Sequence, residues 1–177
     1  PETVPFLTWV KTAKPSASYA TETYNSVNAF YLVDASGKKQ AVRWSMTPLA
    51  RDAAGASAPE GGDFLEKDLV QRLASAPLRF QLNITLANPE DPVNDASKTW
   101  PEGRKVLNAG TLVLEKTQPQ LSGECRDINY DPLVLPAGIQ GSEDPLLAAR
   151  SAGYADSYLR RTSEVSQLPA AKQEAQQ

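Results

Sequence analysis

The chain has 177 residues, enough for one domain with a sizeable core, and 41% hydrophobic against 22% charged residues marks it as globular rather than disordered. A net charge of −3 argues against a nucleic-acid-binding surface as its main business. The single cysteine, Cys125, excludes an internal disulfide, and no apolar run approaches membrane-spanning length. Histidine is absent, which excludes Ser-His-Asp and Cys-His catalysis within the chain and nearly every zinc site. Any metal would have to be held by Asp, Glu or Tyr oxygens, and any general acid or base would be a carboxylate, Lys or Tyr. The first residue is Pro1 rather than Met, which suggests a processed, trimmed or partial chain with any targeting segment out of view.

The elements follow in order. Residues 1–23 are broken by Pro5 and Pro15, with a short helical piece around Phe6 to Thr12; Phe6 and Trp9 suggest packing against a body that lies outside this chain. Tyr24 to Val33 reads as a strand, with Asn28, Phe30 and Leu32 on one side and Ala29, Tyr31 and Val33 on the other. DASGKK is a turn with Gly37 as its flexible point, and Ala41 to Met46 is the returning strand of a hairpin. Pro48 to Gly62 is a loop. Asp63 then starts a helix, with Glu66 three residues on in the capping-box pattern and Phe64, Leu65, Leu69, Val70 and Leu73 as its apolar face. Arg79 to Leu86 alternates polar and apolar residues and is the clearest strand. Asn88 to Lys105 is a long loop with Trp100 as its large anchor, and Gly110 to Lys116 is a fourth strand. A connector from Leu121 to Ile139 ends in YDPLVLPAGI. The last residues, Thr162 to Gln177, are rich in Ala and Gln with no clear apolar face and read as a disordered tail.

Between connector and tail lies SEDPLLAARSAGYADSYLRR, Ser142 to Arg161. Asp144 is placed to cap a helix that Pro145 begins, where a missing N–H costs nothing. Leu146, Arg150, Tyr154, Tyr158 and Arg161 then recur on one face, interleaved with small residues that would let a broad, flat group lie close. Arg150 four residues before Tyr154 puts a fixed positive charge beside a phenol, which favours a phenolate, a hard ligand suited to ferric iron. Spacing alone leaves a second reading open: arginine and tyrosine four apart are also a common boundary arrangement on a helix. Cys125, in GECRD, has no base to activate it.

The fold class expected is α+β: four antiparallel strands that leave two open edges, two main helices and long loops. About eight strands close a filled barrel, so the chain looks like half of one. In order, the segments resemble the catalase superfamily, in particular the small catalase-related peroxidases. SVNAFYLVDASG…AVRW looks like the fifth and sixth strands of the catalase barrel, RFQLNITL like the seventh and GTLVLEK like the eighth. Lys98, Trp100 and Pro101 fit the family's K-x-W-P, YDPLVLPAGI resembles its F-D-P…P-G-I, and its R-x-x-x-Y falls on Arg150 and Tyr154. The resemblance covers residues 1–161.

The resemblance implies a haem peroxidase that reduces hydrogen peroxide and oxidises an organic donor, with haem b (ferric iron) as cofactor. Tyr154 would be the axial ligand of the haem iron, and Arg150 would hydrogen-bond its phenolate. Asp144 matches the acidic partner of that arginine. Arg161 matches the arginine paired with a haem propionate. Tyr158 stands where catalases usually have a histidine near the propionates, and Asn28 where many have a histidine in the Arg–Asp network. The family's distal histidine and asparagine come from the half of the barrel that precedes this chain. The chain would thus supply the ligand side and need that N-terminal half, or another chain, as partner for turnover. A non-catalytic haem-binding or assembly fragment is the alternative. Many relatives are exported, so the resemblance leans towards a periplasmic rather than a cytoplasmic setting.

Overall fold

A computed structural model describes residues 3–13, 16–49, 63–119 and 123–166. It contains two compact units. The first comprises Pro1–Ser26, Trp44–Thr85 and Lys105–Thr117; the second comprises Val27–Arg43, Leu86–Arg104 and Gln118–Gln177.

The first unit holds helix α1 (Val4–Thr12), strand β1 (Tyr24–Asn25), the second half of β3 (Lys39–Pro48), helix α2 (Phe64–Ser75), most of β4 (Leu78–Leu86) and β5 (Val106–Leu114). Its core is Ala20, Leu78 and Phe80, with Tyr24, Met46, Leu69, Leu73 and Leu114 packed around them. Tyr24 meets Phe80 edge to face at 5.9 Å between ring centroids. Helix α1 begins at Val4, two residues before the expected start, and leaves Trp9 exposed. Helix α2 ends ahead of Pro77 as expected, but its N-terminus differs. Asp63 has a left-handed backbone, φ 58°, and makes no side-chain cap. Capping requires an extended backbone at that residue, so the expected capping box does not form.

Strand β4 pairs antiparallel with β5 from Leu78↔Leu114 to Thr85↔Val106, which starts β5 four residues before the expected Gly110. The register slips between Leu82 and Asn83: their partners are Gly110 and Asn108, so Ala109 is an extra residue on β5. Gly110, at φ 140°, provides the backbone this bulge needs, and its N–H donates to Asn108 Oδ1.

The second unit holds β2 (Phe30–Val33), the first half of β3, a 3-10 turn (Glu124–Asp127), β6 (Ile139–Gly141) and helix α3 (Pro145–Ser166). The turn between β2 and β3 is built by Asp34, whose Oδ1 accepts from the backbone N–H groups of Ser36 and Lys38, with Gly37 at φ 84°. The expected strand over Tyr24–Val33 is two strands instead. Residues between β1 and β2 leave the ladder, and both Asn28 and Ala29 turn inward to become buried. Strand β6 is also beyond expectation: three residues of the connector pair antiparallel with β2, Leu32↔Ile139 to Phe30↔Gly141.

The described residues thus form six strands in the hydrogen-bonded order β5-β4-β3-β2-β6, with β1 on β3, rather than four. The sheet is open, and the α+β class stands. Helix α3 continues to Ser166, past Arg161, and the Thr162 hydroxyl lies over its preceding turn, donating to the carbonyls of Tyr158 and Leu159. The rest of the expected tail and most of the expected loop before α2 lie outside the described residues. No described helix is long and apolar enough to cross a membrane.

Candidate functional site

The site is built on the first half of α3, within the second unit. Asp144 caps the helix: its Oδ1 accepts from the Leu146 N–H at 2.9 Å and its carbonyl accepts from the Leu147 N–H at 3.0 Å. Its other carboxylate oxygen, Oδ2, accepts from Asn28 Nδ2 at 3.2 Å. The Asn28 carbonyl oxygen in turn accepts from Arg150 Nη1 at 3.0 Å. Arg150 then places its guanidinium carbon 5.8 Å from the centre of the Tyr154 ring. Asp144 and Asn28 are buried, 5% and 1% exposed, whereas Tyr154 is 36% exposed. A buried acid and amide therefore lead outward to a guanidinium and an accessible phenol.

Packing holds this helix in place. Leu147 is 1% exposed and lies over β6, where a Cβ on Gly141 would sit 3.4 Å from its Cδ1. Ser151 donates to Asp131 Oδ2 at 2.6 Å, and the same carboxylate accepts from the Leu133 N–H at 2.8 Å. Those bonds, Ser151 foremost, hold the Asp131 carboxyl below its ordinary range. The aspartate of YDPLV is thereby tied to α3. On the outer side, Ala148, Ala149, Ala152 and Gly153 are exposed, and a Cβ on Gly153 would meet nothing within 4 Å. This face is uncovered among the described residues.

Farther along α3, Tyr158 is half-buried and Arg161 donates from Nη2 to the Ile128 carbonyl at 3.1 Å. Arg161 Nε is buried without a hydrogen-bond partner. Arg161 lines a half-open hollow of about 310 Å³ with Gln118, Cys125, Arg126 and Tyr130. Cys125 lies beside Tyr130, whose phenol it pushes above the ordinary value by hydrogen bonding.

The loop carrying Lys98, Trp100 and Pro101 is anchored from both sides. Arg104 binds Asp91 through two bonds, 2.8 and 2.7 Å, and reaches Glu90 at 3.1 Å. Those bonds hold the Asp91 carboxyl below its usual range. Arg43 lies 4.6 Å from the Trp100 ring and donates to the Lys98 carbonyl at 2.9 Å. Burial lowers the Arg43 guanidinium from its ordinary value, while Asp144, Asp91 and Asp95 act against that shift. Asn94 Oδ1 accepts from the Glu143 N–H at 3.0 Å, which joins the loop to the start of α3.

The structure places Asp144, Arg150 and Tyr154 on the first half of α3, with Asn28 joining the first two. Arg161 and Tyr158 share the helix at a distance from that chain of bonds. Sequence reasoning did not single out Ser151 and Asp131, or Arg43 beneath Trp100. Their roles depend on partners 20 and 55 positions away, which no local pattern reveals. Among the described residues, no three Cys, Asp or Glu side chains gather as a metal site.

The family model described as "Catalase" matches residues 1–177. A "Catalase-related peroxidase" of Synechococcus elongatus is 37% identical over 153 residues, covering 84% of this chain and 44% of that protein. One of Mycolicibacterium paratuberculosis is 31% identical over 82% of this chain and 47% of its own length. The chain therefore spans under half the length of these curated relatives. A solved bacterial catalase shares its fold with a TM-score of 0.74 over 91% of this chain and 34% of the catalase, at 19% identity. By sequence match along its whole length and by fold, this chain belongs to the catalase family.

Proposed function

We propose that the chain forms the haem-ligand side of a peroxidase that reduces hydrogen peroxide at the expense of an organic hydrogen donor. The observation that carries this reading is the run Asp144–Asn28–Arg150, which brings a guanidinium beside an accessible tyrosine. The residues suit haem b. Tyr154 is the described phenol next to that charge, and at 36% exposed it is accessible to a flat macrocycle. Arg161 Nε is a buried donor without a partner, which a propionate carboxylate would satisfy.

In this reading Tyr154 would hold the ferric iron of the haem. Arg150 stabilises the negative charge on the phenolate oxygen, Asp144 neutralises the network behind it, and Arg161 receives a propionate. Tyr158 borders the same edge. When bound, haem supplies the redox chemistry by which two hydrogen atoms pass from donor to peroxide, giving two waters and oxidised donor. The chain has no histidine to move the peroxide proton. That base, with the opposite wall of the pocket, would come from an N-terminal half of the barrel or from another chain. Alone, this chain would bind haem and show little or no peroxidase turnover. A purely haem-binding or assembly role is the alternative, favoured by the same lack of histidine.

The test is haem titration of the purified chain, followed by its Soret and charge-transfer bands, with Tyr154→Phe beside it. A tyrosinate-type spectrum that disappears in the variant is expected. A spectrum indifferent to the substitution overturns the ligand assignment. Peroxidase assays with and without a complementing N-terminal half then separate enzyme from binding protein. Turnover restored only by the complement supports the first reading, and full turnover of the isolated chain contradicts the half-site argument.

A further inference from the structure

Strand β5 lies at one end of the sheet and β6 at the other. The β6 edge is three residues long, and that shortness blunts it as a template for further pairing. The β5 edge is nine residues long, Val106–Leu114, and among the described residues it pairs with β4 alone. Its other side therefore presents a row of backbone N–H and C=O groups to solvent. Long edges are commonly protected by a charged side chain or a proline, and β5 holds neither. It instead leaves Val106, Leu107 and Leu112 exposed, at 55%, 41% and 41%. An edge of this kind fits an extended strand that is apolar along its length and complementary in charge at its ends.

The sequence of β5 itself has that form. Lys105 precedes the strand and Glu115 follows it; both are exposed, and neither forms an ion pair among the described residues. A second β5 laid antiparallel with full overlap sets Val106 against Leu114, Leu107 against Val113 and Asn108 against Leu112 of the other copy. The same register sets Lys105 of each copy against Glu115 of the other, so both ends of the ladder carry an opposite-charge pair. Any other register shortens the ladder and separates both pairs. The next position outwards brings Lys116 towards Arg104, whose guanidinium is already bound by Asp91 and Glu90. Gly110 falls on the two-fold axis, and a Cβ there would meet nothing within 4 Å, so the point where the two backbones cross holds no side chain. We propose that the β5 edge is an interface between two copies of this chain, joined as an antiparallel β5–β5 ladder about Gly110 with Lys105–Glu115 pairs at its ends. The contact is isologous and closes at two copies. It does not depend on the haem reading.

Sedimentation equilibrium of the full chain over a range of concentrations tests it without haem. The wild-type chain is expected to approach twice its 19.1 kDa. Lys105→Glu and Glu115→Lys should each weaken the dimer about tenfold, because each turns both end pairs from attractive to repulsive. The two substitutions move the net charge of −3 in opposite directions, so general repulsion between copies would not weaken both. Lys105→Glu combined with Glu115→Lys rebuilds the end pairs and should restore the dimer. Both positions are exposed, so the variants should keep the wild-type circular dichroism. A wild-type chain that stays monomeric, a dimer that neither single substitution weakens, or a double variant no tighter than the singles overturns the proposal. So does a monomer that captures a separately produced N-terminal barrel half and loses it on Leu112→Lys, since the edge would then take that strand rather than a second copy.

Discussion

Asn28 and Arg150 stand 122 positions apart in the chain and 3.0 Å apart in the fold. The bond joins the buried turn before β2 to the exposed face of α3, and Asp144 closes the link from the other side of the amide. The same aspartate starts the helix. Its two oxygens thus connect the geometry of α3 to the orientation of Arg150.

Asp144→Ala removes both functions. Loss of the cap costs about 1 kcal/mol. Loss of the hydrogen bond that Asn28 Nδ2 donates to the carboxylate adds roughly 1.5–3 kcal/mol, the worth of a bond to a charged group. Asp144→Asn keeps one side-chain oxygen, enough for the Leu146 N–H but setting an NH2 against Asn28 Nδ2, and should lose less than Asp144→Ala. Urea unfolding of the two variants checks this; equal stability for Asp144→Ala and wild type would contradict the arrangement.

Adjacent leucines at the start of α3 should behave differently. Leu147 is 1% exposed and Leu146 is 44% exposed. Leu147→Ala should destabilise by about 2–5 kcal/mol through lost burial and a cavity. Leu146→Ala should change stability by under about 1 kcal/mol. Thermal unfolding of both variants gives the comparison, and similar losses would mean that α3 presents another face inward.

The Asp91–Arg104 pair should leave a signature in acid. Arg104 holds the Asp91 carboxyl below its usual range, so the unfolded chain takes up that proton at a higher pH than the folded one. The stability from this group is present above the ordinary carboxylate value of about 4 and is lost as the pH falls through the folded-state value. Asp131, Asp95 and Asp127 are lowered in the same direction, so the wild-type curve sums several groups. Subtracting the Tm–pH curve of Asp91→Asn isolates one of them: the wild-type advantage should shrink towards low pH. An advantage that grows on acidification would refute the pairing.

Arg161 provides a test at the far end of the helix. If its unpartnered Nε receives a carboxylate of haem, Arg161→Gln should weaken haem binding about tenfold, the worth of a charge-assisted hydrogen bond. Haem dimethyl ester, which lacks free propionates, should bind wild type and variant alike. Equal discrimination between the two haems by both proteins would remove Arg161 from the site.

Local chemistry determined a good part of this protein. Alternation along Arg79–Leu86 specifies a strand, Asp34 and Gly37 specify the turn after β2, and Asp144 with Pro145 specifies the start of α3, because each signal is complete within a few residues. The spacing of Arg150 and Tyr154 likewise put them on one helical face. Tertiary structure decided the rest. Strand β6 is only three residues long and exists because β2 offers it hydrogen bonds from more than a hundred positions away. The left-handed Asp63 departs from a cap that its neighbours in sequence would permit. Asn28, which alternation placed beside Phe30 on a strand face, is instead drawn inside by an acceptor and a donor that both lie on α3, and only folding brings those within reach.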